Sequence, residues 1–126
     1  LQSYGKDLLS LLPVKHLEIS HIGFLNDEFG SFTELHYDWE MVMVKEKLIP
    51  KPIVILIYLT EVEEGDSLFF PIQKVEIKPA VGNAVIFPCN FCFPHLSTPV
   101  LKGSKHVCRV TMKIPPKMYQ VDALEI

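Results

Sequence analysis

Two imidazoles and one carboxylate are the side chains in this sequence best placed to do chemistry together. Of five histidines, His36 belongs to the tripeptide His36-Tyr37-Asp38, and His95 lies far downstream. Residues i and i+2 of an extended strand share a face. The His36 imidazole and the Asp38 carboxylate are therefore predicted to converge while Tyr37 turns away. A distant strand carrying His95 alongside would complete a two-histidine, one-carboxylate set, the donor combination that holds non-haem Fe(II) with coordination positions left open. Zn²⁺ accepts the same donors. A second string, Cys89-x2-Cys92-x2-His95, with His106 and Cys108 beyond it, offers thiolates that favour a tetrahedral structural zinc. It lacks a second spaced ligand pair, and buried inert thiols are the plainer account of all three cysteines. His16 and His21 read as structural or surface groups, and His106 has no assigned role.

Such a set can be positioned by strands that alternate faces and stack closely. Between Val14 and Ile114 the chain is rich in β-branched and aromatic runs cut by Pro and Gly. The runs are Val14–Phe24, Phe32–Trp39, Pro52–Thr60, Ser67–Phe70, Lys74–Ile77, Ala84–Phe87, Phe93–Ser97 and Ser104–Ile114. About eight strands is the number that closes a two-sheet jelly roll. Pro52–Thr60 is nearly all apolar, as expected of a strand buried on both faces. Asn26–Gly30 and Glu61–Asp66 read as turns, the Glu61-Val62-Glu63-Glu64 cluster as solvated; Glu40–Lys51 is mixed. Phe69 and Phe70 read as core. Upstream, residues 3–12 carry Leu8, Leu9, Leu11 and Leu12 between a candidate N-cap, Ser3, and a stop at Pro13, predicting one short helix. The expected fold class is all-β with one N-terminal helix, in a single domain over residues 1–126 with its jelly-roll core at about 14–114.

Composition narrows the partners. Net charge is −3, with 12 Lys+Arg against 15 Asp+Glu, and so lacks the basic excess of a protein that coats nucleic acid. The longest apolar run, Ile53–Leu59, falls well short of the roughly 20 residues needed to span a bilayer, so no membrane partner is expected. An odd number of cysteines fits a reducing compartment, which predicts a cytoplasmic protein. No signal-peptide pattern is visible, and a first residue of Leu1 suggests a trimmed or processed chain.

Further motifs follow His36-Tyr37-Asp38 in order. They are Tyr58-Leu59-Thr60 with Val62-Glu63-Glu64-Gly65 and Phe69-Phe70-Pro71; Pro79 with Gly82-Asn83-Ala84 and Ile86-Phe87-Pro88; and His95 with Pro99-Val100, Lys102-Gly103 and Lys105. Taken together over about residues 20–114, this series resembles the 2-oxoglutarate- and Fe(II)-dependent dioxygenases, and within them the prolyl 4-hydroxylase branch.

That resemblance implies a double-stranded β-helix with His36, Asp38 and His95 as iron ligands. It implies Lys105, ten residues past His95, as the cation for the far carboxylate of 2-oxoglutarate, and Tyr58 as a hydroxyl supporting the same group. A fixed ammonium against a carboxylate is a charge-assisted contact, strongest when partly desolvated. Arg109, four residues further along the same strand face, is the alternative partner. The implied reaction hydroxylates an unactivated C–H bond, with a prolyl residue of a peptide or protein the favoured substrate. It consumes O₂ and converts 2-oxoglutarate to succinate and CO₂, with ascorbate a further cofactor of such enzymes. The sequence also departs from the pattern. Phe24 and Leu25 stand where many relatives offer a tyrosine to the cosubstrate, and His106 replaces an aromatic residue after Lys105. Trp39 is placed either at a substrate mouth or in packing, and Tyr58 has an ordinary reading as a core tyrosine. A non-catalytic jelly-roll binding module with structural zinc, a member acting on a free amino acid or nucleobase, and a cupin-like metalloenzyme remain the alternatives.

Overall fold

A computed structural model describes residues 17–115. Twelve strands occur among them: β1 (Glu18–Asp27), β2 (Thr33–His36), β3 (Met41–Val44), β4 (Lys47–Pro50), β5 (Ile53–Tyr58), β6 (Glu64–Gly65), β7 (Leu68–Phe70), β8 (Val75–Ile77), β9 (Ala84–Pro88), β10 (His95–Ser97), β11 (Val100–Lys102) and β12 (Lys105–Lys113). They form two four-stranded antiparallel sheets, β1-β12-β5-β9 and β2-β10-β7-β8, and two short ribbons, β3-β4 and β6-β11. The eight strands of the two main sheets are those expected from the apolar runs, and the ribbons add four. The helix expected over residues 3–12, and His16, lie outside the described residues. No helix among the described residues is long and apolar enough to cross a membrane.

The pleat sorts the side chains of the larger sheet. On β5, Val54 and Tyr58 face inward with Leu56, while Ile53, Ile55 and Ile57 face the other way. Its partner β12 alternates to match: Val107 opposes Tyr58 and Thr111 opposes Val54, all four buried. Between the two sheets, Val54, Leu68, Phe70, Phe87 and Cys89 form the inner core, with Phe70 and Phe87 in an edge-to-face pair at 5.2 Å. A second cluster, Leu17, Cys108, Val110 and Met112, occupies the opposite face of the larger sheet. Burial on both faces explains why β5 and β12 lack a clean polar–apolar alternation.

The ribbons rest on special backbone. Lys45 and Glu46, between β3 and β4, have φ of 47° and 65°, the mirror-image turn geometry that matches the twist of a hairpin. Gly65 (φ 85°) brings β6 against the Pro99 carbonyl so closely that any Cβ would collide with it.

Candidate active site

The triad is assembled by the smaller sheet. β10 pairs with β2 so that His95 lies directly opposite His36, their rings 4.4 Å apart edge to face. β2 ends at His36, so Asp38 projects from the connection to β3 rather than from a strand, a correction to the i, i+2 strand reading. The convergence survives all the same, since the carboxylate reaches both imidazoles. Asp38 Oδ1 is 3.7 Å from His36 Nε2, and Oδ2 is 3.6 Å from His95 Nε2. Both separations exceed direct hydrogen-bond contact. One donor atom from each residue lies within 4.8 Å of the others.

The second ring nitrogens fix the tautomers. His36 Nδ1 lies 2.7 Å from the Glu34 carbonyl and His95 Nδ1 lies 3.0 Å from the Phe93 carbonyl. A carbonyl oxygen can only accept, so each Nδ1 carries a proton and donates it, and in the neutral ring the lone pair then sits on Nε2, facing Asp38. Backbone-oriented imidazoles of this kind are what metal-binding histidines show. His95 is 5% exposed and wedged against Phe70 and Phe87, with ring centroids at 5.2 and 4.8 Å. Desolvation there pushes its pKa below the ordinary imidazole value and favours the neutral, ligating form. Two free imidazole nitrogens and a carboxylate fit a divalent transition ion such as Fe(II).

Behind Asp38 lies a charged cluster. Arg109 Nη2 is 3.6 Å from Asp38 Oδ1 and donates to Glu40 Oε1 at 2.5 Å, and Lys51 stands 3.7 Å from Glu40. Arg109 therefore belongs to the triad end of the cleft.

Lys105 belongs to the opposite end. Lys105, Val107 and Arg109 all line the cleft from one face of β12, and four residues of strand separate the two cations by about 13 Å of backbone. Lys105 Nζ donates to Asp66 Oδ1 at 2.9 Å, with Asp27 Oδ2 at 4.0 Å. Tyr58, 2% exposed, lines the same end. Burial, and then the charge of Asp66, push its pKa up to about 12, so its hydroxyl keeps its proton and can donate. Leu25, Leu56, Leu68, Phe87 and Val107 form the apolar wall between the two ends.

The remaining sequence candidates sort plainly. Leu25 faces the cleft, whereas Phe24 and Trp39 are exposed and do not line it. His106 sits between Asn26 Oδ1 at 2.7 Å and Ser104 Oγ at 3.3 Å. Cys89 and Cys92 join no cation-binding group with His95; His36, Asp38 and His95 are the only such group among the described residues. Cys89 and Cys108 are buried thiols, but Cys92 is exposed, which corrects the uniform reading of the three cysteines. Burial first, then Asp38 and Glu40, push the Cys89 pKa up to about 12. Asp66 and Glu40 were not among the expected site residues. Their one sequence signal is position: Asp66 follows a glycine at the start of a core strand, and Glu40 follows Asp38 at i+2.

No family model and no curated protein matches the chain by sequence. Solved structures do match it in three dimensions. A viral collagen prolyl hydroxylase from Paramecium bursaria Chlorella virus-1, in complex with 2-oxoglutarate, superposes with a TM-score of 0.75 at 20% identity, covering 90% of this chain and 70% of that one. A truncated form of the viral enzyme gives 0.74 at 20% identity, covering 90% of this chain and 66% of that one. A Pseudomonas putida prolyl-4-hydroxylase gives 0.53 at 16% identity, covering 75% of this chain and half of that one. The chain thus has a prolyl hydroxylase-like jelly-roll fold, spanning about two thirds of the viral enzyme's length.

Proposed function

We propose that this protein is an Fe(II)- and 2-oxoglutarate-dependent dioxygenase that hydroxylates a C–H bond, with a prolyl residue of a peptide or protein as its substrate. The observation that carries this reading is the pairing within one cleft of a metal-fitting triad, His36, Asp38 and His95, with an ammonium and a phenol, Lys105 and Tyr58, at its other end. A short dicarboxylate with a keto group needs those two things: an ion for its chelating end and a fixed cation for its free carboxylate.

When bound, iron supplies the coupling of O₂ reduction to decarboxylation of 2-oxoglutarate, giving succinate and CO₂ and placing the second oxygen atom on the substrate carbon. The chain's own residues do the rest. His36 and His95 present neutral Nε2 lone pairs, with Asp38 as the single anionic donor. Lys105 and Tyr58 donate to the far carboxylate. Lys105 is preferred over Arg109 for this role because it lines the end of the cleft away from the triad, whereas Arg109 lies 3.6 Å from the triad carboxylate itself. Leu56, Leu68 and Val107 keep water from the space between the ends.

The prolyl substrate is supported by the names of the solved structures that share the fold. The test is incubation of iron-loaded protein with proline-containing peptides, O₂ and 2-oxoglutarate. The expected result is peptide gaining one oxygen atom in step with succinate. Succinate release without any modified peptide would keep the dioxygenase and reject the prolyl substrate. Absence of both from iron-loaded, folded protein would reject the whole reading.

A further inference from the structure

Asp66 is the most deeply placed charge among the described residues, and nothing in the proposed reaction uses it. It is 1% exposed and, unlike Lys105, does not line the cleft. Its Oδ1 accepts from Lys105 Nζ at 2.9 Å, while its Oδ2 is buried with no hydrogen-bond partner among the described residues. Its backbone sits at φ 51°, a left-handed conformation that costs any residue with a side chain. That conformation is over-determined by its neighbours. Asp66 N–H donates to the Pro99 carbonyl at 3.0 Å, Ser67 N–H donates to Thr98 Oγ1 at 2.8 Å, and Gly65 permits the close approach to Pro99. A strained backbone, a buried carboxylate and an unsatisfied oxygen at one residue are three separate costs, all incurred where the side chain meets Lys105.

We propose that Asp66 is a positioning residue of the cosubstrate site, holding the Lys105 ammonium aimed into the cleft from behind its wall. This role rests on the reading that Lys105 receives the far carboxylate of 2-oxoglutarate. An ammonium on a four-carbon stem is a mobile point charge with three donors. Asp66 takes one donor from the rear and leaves the others for a ligand. The groups facing Lys105 are Asp66 from the turn after β6, Asp27 from β1 at 4.0 Å and Tyr58 from β5. Without Asp66, the nearest anion to the ammonium among the described residues is Asp27 at 4.0 Å, and the flexible four-carbon stem is free to leave the orientation that faces the cleft.

The experiment measures 2-oxoglutarate affinity by calorimetry on anaerobic, Mn(II)-loaded protein. Mn(II) affinity is measured separately. Asp66→Asn should weaken 2-oxoglutarate by about 10- to 100-fold with Mn(II) affinity unchanged. Asp66→Glu should recover part of the loss. In a Lys105→Met background, adding Asp66→Asn should cost nothing further, and that double variant leaves no unpaired buried charge to compromise folding. Native-like affinity in Asp66→Asn would overturn the role. So would tighter binding, which would mean that Asp66 repels the ligand. A native chain that takes up Mn(II) but no 2-oxoglutarate would instead overturn the reading of Lys105.

Discussion

The two ends of the cleft are built from different sheets and face opposite electrostatic tasks. At the triad end, an edge strand, its following loop and β10 present two imidazoles around one carboxylate, with the side chains of His36 39% and Asp38 15% exposed. At the other end, β5 and β12, each paired on both sides within the larger sheet, present an ammonium backed by a carboxylate that is almost wholly buried. A cation entering the first end meets lone pairs that are already oriented. An anion entering the second meets a charge that is already fixed. Each end is therefore organised before its ligand arrives, and their spacing along β12 sets the kind of molecule that can touch both. One strand, β12, joins them: Lys105 serves one end and Arg109 the other.

If the ends are separable, substitutions should damage them one at a time. The largest expected effect is at the triad. His95→Ala or Asp38→Asn should lower Mn(II) or Co(II) affinity by more than about 100-fold, beyond what changes to supporting residues cost, as read by metal titration of folded protein. Next, Lys105→Met should weaken 2-oxoglutarate by about 10- to 100-fold, the worth of a charge-assisted hydrogen bond of ~1.5–3 kcal/mol, and leave metal uptake intact. Arg109→Lys should affect 2-oxoglutarate less than Lys105→Met. The reverse order would move the carboxylate anchor to the triad end.

A smaller effect concerns Tyr58. Its folded pKa, near 12, is raised above the ordinary 10, so its contribution to stability is complete below pH 10 and declines as pH rises toward 12. An alkaline absorbance titration should show one late tyrosine that Tyr58→Phe removes, with a shallower loss of stability over that interval. Smallest of all, Cys92 should react with a thiol reagent in the native protein, whereas Cys89 and Cys108 should react only on unfolding.

The same contrast separates what the sequence reveals from what it hides. The triad end is carried by rare side chains: a His-x-Asp tripeptide and one more histidine within an ordered series of motifs. The eight main strands are equally visible, because their apolar runs are bounded by Pro and Gly. The other end is harder to read. Asp66 is the same chemical type as Glu63 and Glu64, which lie exposed two and three positions before it, yet it is buried where its backbone is held against Pro99, a contact between segments far apart in the chain. Lys105 and Arg109 share a strand face, so periodicity alone cannot divide their work; their neighbours from distant segments do. The β3-β4 ribbon escapes notice because Lys45 and Glu46 adopt a turn normally announced by Asn-Gly. Asp38 lies beyond the end of β2 because β10, the only main-sheet strand paired with β2, continues past His95 in the other direction.

The most direct measurement is an anaerobic titration of the folded protein with Fe(II) followed by 2-oxoglutarate, watched in the visible region. A keto-acid chelating an iron held by His36, Asp38 and His95 should raise a weak charge-transfer band, absent in Asp38→Asn and shifted to higher 2-oxoglutarate concentration in Lys105→Met. A flat spectrum from native protein that retains no iron would contradict the account at its centre.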